Sequence, residues 1–356
     1  MGEDFVLDAA FAAQQAEQFR SDQVGRIVQN AVTTTSVDTV SLDRDIFNGI
    51  DPTTSERLDS WSVTNQRHSG RCWEFAGLNV IRAQVMRNLN IDNLEFSQNH
   101  IAFFDKIEKV NFAFARAVET IGLPDGDEQV RELLGELGDG GYWPQFVDIV
   151  GKYGLVPQWA MPDTESSGNT GRMNRALEMI VRRVVGQIRA ARGAGDQDTR
   201  IAAAREQGLK DAWRVLAIHL GTPPTSFTWQ YRDKDKNFHR EGTFTPTQFA
   251  RHIIPGDLGE YATVQHDPRN ENPVGRGYVR EHTPYMVGRP GYSYVSAEMD
   301  DIKALAVESI RAGDPVWFSC DVNAQFDREL GIWDANLHDY EGLYGVELNR
   351  SKADRM

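Results

Sequence analysis

The sequence predicts an α+β fold, with long helices in the first two thirds of the chain and short strands after them. Apolar residues recur every three to four positions in several long stretches, which is the spacing of a helix with one buried face. Later stretches are short, apolar and bounded by turn residues, as strands are. At 356 residues and 40% hydrophobic content, the chain can bury a sizeable core.

The first 60 residues are predicted to form an arm that leads into the fold. They contain one amphipathic helical pattern, from Ala9 to Val32. A run rich in Thr, Ser and Asp follows without a strong period. We therefore expect one helix and then an irregular segment.

The next helix is predicted to begin at Cys72. Between Cys72 and Met86 the apolar positions fall at helical spacing, at Phe75, Leu78, Ile81 and Val85. Ser69 and Gly70, just before this stretch, are residues that favour helix starts. The sequence thus puts the Cys72 thiol in the first turn of a core helix.

Four further helical patterns follow along the chain. They are the stretch after Ser97, then Trp143 to Tyr153, Arg172 to Arg192, and Asp198 to Leu220. A strand-like run, Thr225 to Tyr231, comes next and meets the turn sequence DKDK. We interpret the block from 172 to 290 as an insertion into a smaller fold.

The last part of the chain is predicted to alternate between helix and strand. Asp300 to Ala312 has a helical pattern, Pro315 to Val322 reads as a buried strand, and another strand begins at Gly331. Cys320 lies inside the apolar run and is interpreted as an inert, buried thiol.

Composition excludes several classes of function. The formal charge of −14 repels polyanions, so nucleic-acid binding is not expected. No apolar run is long enough for a signal peptide or a membrane span, so no membrane partner is expected. Two cysteines cannot form a disulfide framework, and this fits a reducing, cytoplasmic compartment.

The segment NQRHSGRCW, residues 65–73, carries the chemical signal. A thiol at a helix N terminus feels the positive end of the helix dipole, which favours the thiolate that a nucleophile requires. Gln66 lies six residues before Cys72, where a loop can turn its amide back toward the helix start. The Gln66 amide and the Cys72 backbone N–H could then both donate to a developing oxyanion.

These residues carry a resemblance to papain-like cysteine peptidases, because Gln66, Gly70, Cys72 and Trp73 match the pattern of that superfamily at the same spacing. A narrower resemblance, to the aminopeptidase C and bleomycin hydrolase family, runs through the chain in family order. Its blocks are SGRCW, EFSQNHIAFFDKIEKVN, DGGYW, KYGLVP, ESSGNTGRMN, DPVWFSCDV and KADR.

The resemblance implies a papain-like fold with four parts. These are an N-terminal arm (1–60), a helical left lobe (61–171), a helical insertion (172–290) and the start of a β-rich right lobe (291–356). Secreted papain-like enzymes carry a disulfide whose two ends correspond to Ser69 and Gly138. Loss of both cysteines fits an intracellular branch.

The resemblance also implies roles for individual residues. Cys72 would be the nucleophile and Gln66 the oxyanion donor, while Gly140, Gly141 and Trp73 would contact the substrate. Taken alone, the glycine pair reads equally as a turn. The eight histidines show no paired metal-ligand spacing, and no metal or organic cofactor is implied.

Two segments that the family would supply do not occur in the sequence. A thiol peptidase needs a histidine base and an asparagine that orients it, and the family carries them in His-Ala and Asn-Ser-Trp segments. His338, in HDYEGLYG, resembles the linker before the histidine strand and is not promoted to the base. We therefore expect a C-terminally truncated chain with an incomplete second lobe.

Two functions from different classes follow. The first is a cysteine aminopeptidase that releases N-terminal residues from peptides through a Cys72 thioester, inactive as this chain and a homo-hexamer when intact. The alternative is a non-catalytic peptide-binding or assembly subunit that keeps the papain-like cleft. Absence of the histidine segment favours the alternative, whereas retention of Gln66, Cys72 and Trp73 favours the enzyme.

Overall fold

The computed structural model describes residues 7–58, 62–133, 137–267, 269, 271–280, 286–320 and 326–348. The helices are α1 Ala9–Ser21, α2 Gln23–Val32, α3 Val37–Ser41, α4 Arg44–Gly49, α5 Cys72–Leu89, α6 Gln98–Glu119, α7 Glu128–Leu133, α8 Trp143–Tyr153, α9 Glu165–Gly168, α10 Gly171–Ala190, α11 Gln197–Leu220, α12 Pro246–Ile253, α13 Met299–Arg311 and α14 Tyr340–Tyr344. The strands are β1 Phe227–Arg232, β2 Phe238–Phe244, β3 Val264–Gln265, β4 Gly277–Arg280, β5 Tyr292–Ser296, β6 Phe326–Asp327 and β7 Ile332–Trp333.

The chain divides into two compact units. Glu56–Phe318 forms the larger one, here called the main unit, and the arm unit combines Met1–Ser55 with Ser319–Met356. The finer division predicted at residues 60, 171 and 290 stays a prediction. Mixed helices and short strands confirm the α+β class.

The core of the main unit lies among helices. Helix α6 packs against α5, α8, α10 and α11, and α12 packs against α8. The most deeply buried apolar side chains include Ile81, Phe103, Phe114, Phe146 and Leu177. This arrangement buries 11 of the 18 residues of α5 and leaves its first residue, Cys72, exposed.

The strands are short and form small sheets. β1 and β2 make an antiparallel hairpin in which Phe227 is opposite Phe244, with an irregularity after Trp229. β5 is the centre of a three-stranded sheet, parallel to β3 and antiparallel to β4. β6 and β7 pair in the arm unit. Among the described helices, none is both long and apolar enough to cross a bilayer.

Several sequence predictions are confirmed and two helix boundaries need correction. α5, α6, α8 and α13 lie where the apolar periods put them. The single helix predicted from Ala9 to Val32 is two helices, because the Asp22 carboxylate accepts from the Gly25 N–H and starts α2. The N-cap of α5 is Arg71 rather than Ser69 or Gly70.

The predicted strand Pro315–Val322 is wrong over the part that the structure describes, residues 315–320. This segment has no strand pairing there, and Val316, Phe318 and Cys320 are exposed. Trp317 is half-buried, and its Nε1 donates to the Trp73 carbonyl at 3.2 Å. Cys320 is therefore an exposed thiol, not the buried one expected from its apolar neighbours.

Candidate active site

The first turn of α5 presents an exposed thiol next to buried residues. Cys72 is the first helical residue and is exposed, whereas Trp73 and Phe75 are buried. The N-cap residue Arg71 makes no side-chain capping bond. The Glu74 N–H donates to the Arg71 carbonyl at 3.0 Å, whereas the Cys72 N–H, two positions earlier, is of the kind that helix termini commonly offer to an anion or a substrate oxygen.

The loop before the helix, residues 65–69, is held in a defined shape. Ser69 Oγ donates to the Gln66 carbonyl at 2.7 Å, and Arg71 Nε donates to Ser69 Oγ at 3.1 Å. Arg67 has a φ of 54°, in the left-handed region. The His68 N–H donates to the Gly168 carbonyl at 2.9 Å, which ties the loop to the start of the α9–α10 region.

The Gln66 side chain is half-buried and has unused hydrogen-bonding capacity. Its Oε1 atom is buried without a hydrogen-bond partner in the described part of the chain. Buried amides are normally satisfied, so an unused one calls for an explanation. Oε1 can only accept a hydrogen bond, so the Gln66 atom that could donate to an oxyanion is Nε2.

A second segment, residues 137–141, here called the glycine loop, is bonded to the residues on either side of Cys72 in the sequence. Trp73 Nε1 donates to the Asp139 carbonyl at 2.7 Å, and the Gly70 N–H donates to Asp139 Oδ2 at 3.0 Å. A Cβ on Gly141 would come within 2.5 Å of the Trp73 ring, whereas a Cβ on Gly140 would meet nothing within 4 Å. Glycine is therefore required at 141 for close packing, while position 140 faces open space.

Two buried lysines on α6 donate hydrogen bonds to backbone carbonyls of the glycine loop. Lys106 Nζ donates to the carbonyls of Leu137 at 3.0 Å and Gly138 at 2.9 Å. Lys109 Nζ donates to the carbonyls of Gly138 at 3.1 Å and Gly140 at 2.7 Å. Their charges are balanced by carboxylates: Lys106 Nζ is 2.6 Å from Asp139 Oδ1, and Lys109 Nζ is 2.8 Å from Asp105 Oδ2.

The pKa values of two carboxyl groups near the site, Asp139 and Glu74, are shifted in opposite directions. Burial acts to raise the pKa of Asp139, but the nearby Lys106 charge and hydrogen bonds from Lys106, Thr170 and Gly70 outweigh it, so the pKa lies below its usual range. Burial raises the pKa of Glu74 well above its usual range despite the Arg71 charge. Asp139 is accordingly ionised at neutral pH.

The structure brings the predicted site residues into one region of the main unit, with one change of emphasis. Gln66, Cys72, Gly140 and Gly141 lie on segments tied to one another by hydrogen bonds. Trp73 is only 3% exposed and packs beneath Gly141, so it supports the glycine loop from the interior.

Two histidines, His68 before α5 and His338 in the arm unit, have different surroundings. His68 is exposed, and its backbone N–H bonds to Gly168. In the arm unit, the His338 ring lies with Nδ1 3.2 Å from Ser41 Oγ and Nε2 3.2 Å from Asp327 Oδ2. Both ring nitrogens of His338 therefore have partners within that unit.

Sequence reasoning missed Asp139, Lys106 and Lys109. Asp139 is the first residue of the motif DGGYW, so the motif could have pointed to it, but only the two glycines were given a role. The lysines gave no signal, since charged residues on an amphipathic helix ordinarily belong to its exposed face.

Together, the fold and the site define a cysteine peptidase of papain-like type. The chain belongs to the Peptidase C1-like family, whose sequence model matches residues 6–356. Bleomycin hydrolase of Rattus norvegicus is 35% identical over 358 residues, which cover 98% of this chain and 79% of the rat protein. Bleomycin hydrolase of Homo sapiens is 38% identical over 300 residues, which cover 83% of this chain and 66% of the human protein.

Matches to bacterial relatives also cover most of the chain. Aminopeptidase C of Lactobacillus delbrueckii subsp. lactis is 32% identical over 331 residues, covering 93% of this chain and 74% of that protein. The crystal structure of PepW from Lactobacillus rhamnosis HN001 matches with a TM-score of 0.94 at 31% identity, covering 99% of this chain and 79% of that one. These matches confirm the predicted family and its fold.

Proposed function

We propose that this protein releases N-terminal residues from peptides through a thioester at Cys72. The observation that carries the proposal is the exposed thiol at the start of α5, where no side chain caps the helix and where hydrogen bonds hold both the Gln66 loop and the glycine loop to the residues just before it. The names of the relatives, bleomycin hydrolase and aminopeptidase C, support the aminopeptidase class.

In this mechanism the Cys72 sulfur attacks the carbonyl carbon of the first peptide bond. The resulting oxyanion accepts hydrogen bonds from the Gln66 amide and the Cys72 backbone N–H. The C–N bond then breaks, the amine leaves with a proton, and water hydrolyses the thioester. Gly140 and Gly141 would line the cleft, where the open space at Gly140 admits a peptide backbone.

Both steps move protons and need a general base. The His-Ala and Asn-Ser-Trp segments expected to supply it do not occur in the 356 residues. We therefore expect this chain by itself to form the thioester with activated esters, but to hydrolyse aminoacyl amides no faster than its Cys72→Ser variant. Amide turnover above that variant would mean that a histidine of this chain acts as the base.

The first test compares the two thiols by mass spectrometry during labelling with iodoacetamide and with a peptidyl epoxide. Cys72 and Cys320 are both exposed, so a difference in rate reports the chemical surroundings rather than access. We expect Cys72 to react much faster with both reagents. Equal rates would contradict an activated site and favour a non-catalytic peptide-binding subunit.

The second test concerns Gln66. In Gln66→Ala, acylation of Cys72 by an activated aminoacyl ester should slow by about 10²–10³-fold, the usual cost of one oxyanion donor. Alkylation by iodoacetamide forms no oxyanion and should keep its rate. A parallel loss in both reactions would assign Gln66 to thiol activation instead.

We also propose that this protein assembles as a homo-hexamer in the cytoplasm. The family resemblance suggests the assembly, and the arm carries exposed apolar side chains at Phe11, Phe19 and Ile27 that association could cover. Light scattering coupled to size exclusion measures the mass directly. A monomeric mass at micromolar concentration would contradict the assembly without affecting the proposed chemistry.

A further inference from the structure

Asp139 lies at the centre of the contacts that hold the glycine loop. Its Oδ2 atom accepts from the Gly70 N–H at 3.0 Å and from Thr170 Oγ1 at 2.5 Å. Its Oδ1 atom accepts from Asn174 Nδ2 at 2.8 Å and lies 2.6 Å from Lys106 Nζ. An ionised carboxylate has about four acceptor positions, and here all are used by groups from three different segments.

One of those segments, residues 163–174, also holds the other wall of the site. The Gly168 carbonyl accepts from the His68 N–H at 2.9 Å, and Asp163 Oδ1 lies 3.6 Å from Arg71 Nη2. A Cβ on Gly168 would come within 2.9 Å of the Arg67 side chain, so the Arg67 side chain packs tightly over this glycine. The Gln66 loop and the glycine loop are thus both fixed to the same short stretch of chain.

Most of this stretch is the ESSGNTGRMN run, residues 165–174, which had no assigned role. Its helix α10 contributes Asn174 and its N-cap residue Thr170 directly to Asp139. Thr170 is 4% exposed, so its hydroxyl is buried at the contact rather than shared with solvent. Hydrogen bonds to a charged acceptor in such surroundings are stronger than neutral ones.

The contacts join the same two segments that a covalent bridge joins in secreted papain-like enzymes. The bridge ends correspond to Ser69 and Gly138, which are the sequence neighbours of Gly70 and Asp139. In this chain the link between the two segments is the Gly70 N–H bond to Asp139, with Lys106 and Lys109 bound to the loop carbonyls.

We propose that Asp139, held by Thr170 and Asn174, is a positioning residue that replaces a disulfide in fixing the glycine loop against the Cys72 helix. The inference rests on the proposed function of this site. It goes beyond that function in assigning to the ESSGNTGRMN run the placement of the substrate-binding wall. Asp139 acts through the position of Gly140 and Gly141, so its loss should weaken substrate capture more than thiol chemistry.

The test uses Thr170→Val combined with Asn174→Leu in the full chain. These changes remove two hydrogen bonds from Asp139 and leave its ion pair with Lys106 intact, so folding should be retained and is checked by circular dichroism. The matched control is Thr120→Val, which removes another buried threonine hydroxyl bond, to the Arg116 carbonyl at 2.8 Å. Thr170→Val alone serves as a milder second variant.

The measured quantities are the KI and kinact of a peptidyl epoxide and the alkylation rate of iodoacetamide, both at Cys72. The epoxide must dock along the glycine loop, whereas iodoacetamide needs only the thiol. We expect the KI of the double variant to rise by about tenfold, because it loses two hydrogen bonds to a charged group. Its kinact and its iodoacetamide rate should keep wild-type values, and Thr120→Val should keep wild-type values of all three quantities. An unchanged KI, or equal losses with both reagents, would overturn the proposal.

Rescue by a covalent bridge gives the sharpest test. Ser69→Cys and Gly138→Cys are added to the weakened variant; an added Cβ at 138 would meet nothing within 4 Å. After oxidation, with the 69–138 link verified by mass spectrometry, KI should return toward the wild-type value and rise again on reduction. A pair that does not cross-link, or a linked protein with the raised KI, would overturn the proposal.

The proposed function and the positioning role of Asp139 can be disproved separately. If the wild-type Cys72 reacts no faster than Cys320, the proposed function fails. If Cys72 is selectively reactive but the Thr170 and Asn174 changes leave KI unaltered, the function stands and the positioning role of Asp139 is wrong.

Discussion

The ion pair beneath the glycine loop and the ion pairs along α11 have similar geometry and opposite surroundings. Lys106 and Asp139 lie 2.6 Å apart with side chains 2% and 7% exposed. Lys210 and Glu206 lie 2.5 Å apart with side chains 64% and 69% exposed. The distance between the charges is nearly the same, so any difference in their importance comes from water.

The difference shows that distance alone does not rank ion pairs. Exposed charges keep their hydration and are screened, so their pairing adds little to stability. Buried charges have lost hydration, and removing one partner leaves the other uncompensated. Lys106 also satisfies two carbonyls of the glycine loop, which couples this pair to the shape of the site.

The largest effect is expected for Asp139→Asn, which leaves Lys106 buried without its counter-charge. The free energy of unfolding should fall by about 3–5 kcal/mol, measured by urea denaturation at pH 7. Because the pKa of Asp139 is lowered in the folded state, its stabilisation is present above about pH 4 and is lost as the pH falls below that value. The difference between wild type and variant should therefore shrink in acid; a difference that grows in acid would contradict the ion-pair explanation.

A second large effect is expected at His100, a buried group of α6 whose ring bonds to a backbone carbonyl. Burial lowers its pKa to about 4, although its Nε2 bonds to the Tyr153 carbonyl at 3.3 Å. Between about pH 6.5 and 4 the unfolded chain therefore binds a proton that the folded chain does not. As the pH is lowered through this range, the free energy of unfolding decreases by up to about 3 kcal/mol.

The matched variant is His100→Gln, which can still donate toward Tyr153 but does not titrate. Urea denaturation at pH 7 and pH 5 should show a smaller acid loss in the variant than in wild type. Identical losses would mean that His100 is accessible to protons in the native state.

An intermediate effect is expected at the glycine pair, where packing rather than charge is tested. Gly141→Ala puts a Cβ within 2.5 Å of the rigid Trp73 ring and should cost about 1–3 kcal/mol, as overpacking usually does. Gly140→Ala meets open space and should change stability by less than about 0.5 kcal/mol. Thermal unfolding of the two variants side by side measures the contrast, and equal costs would disprove the assigned packing of the loop.

The smallest effect is expected for Glu206→Gln, which removes one partner of the exposed pair on α11. Both side chains stay hydrated after the change, so the urea midpoint should equal that of wild type within error. A loss close to that of Asp139→Asn would break the comparison between buried and exposed pairs.

Local patterns were enough to predict the start of the helix that carries Cys72. The apolar period from Phe75 to Val85 specifies which face of α5 is buried, and that fixes Cys72 at its first turn. The predicted bounds of α8, Trp143 to Tyr153, are the observed ones for the same reason. The segment at 315–320 failed because an apolar run becomes a strand only when another strand pairs with it.

The sequence by itself determined the family, the helix that carries Cys72 and the spacing of Gln66 from it, because these depend on neighbours within a few residues. Only the tertiary structure decided how the glycine loop is held. Lys106 reaches Leu137 across 31 positions, and Asp139 reaches Gly70 across 69. Such contacts depend on how helices pack. A sequence pattern predicts that a charged side chain is exposed, and only the packed structure shows where such a side chain is buried and which partner replaces its water.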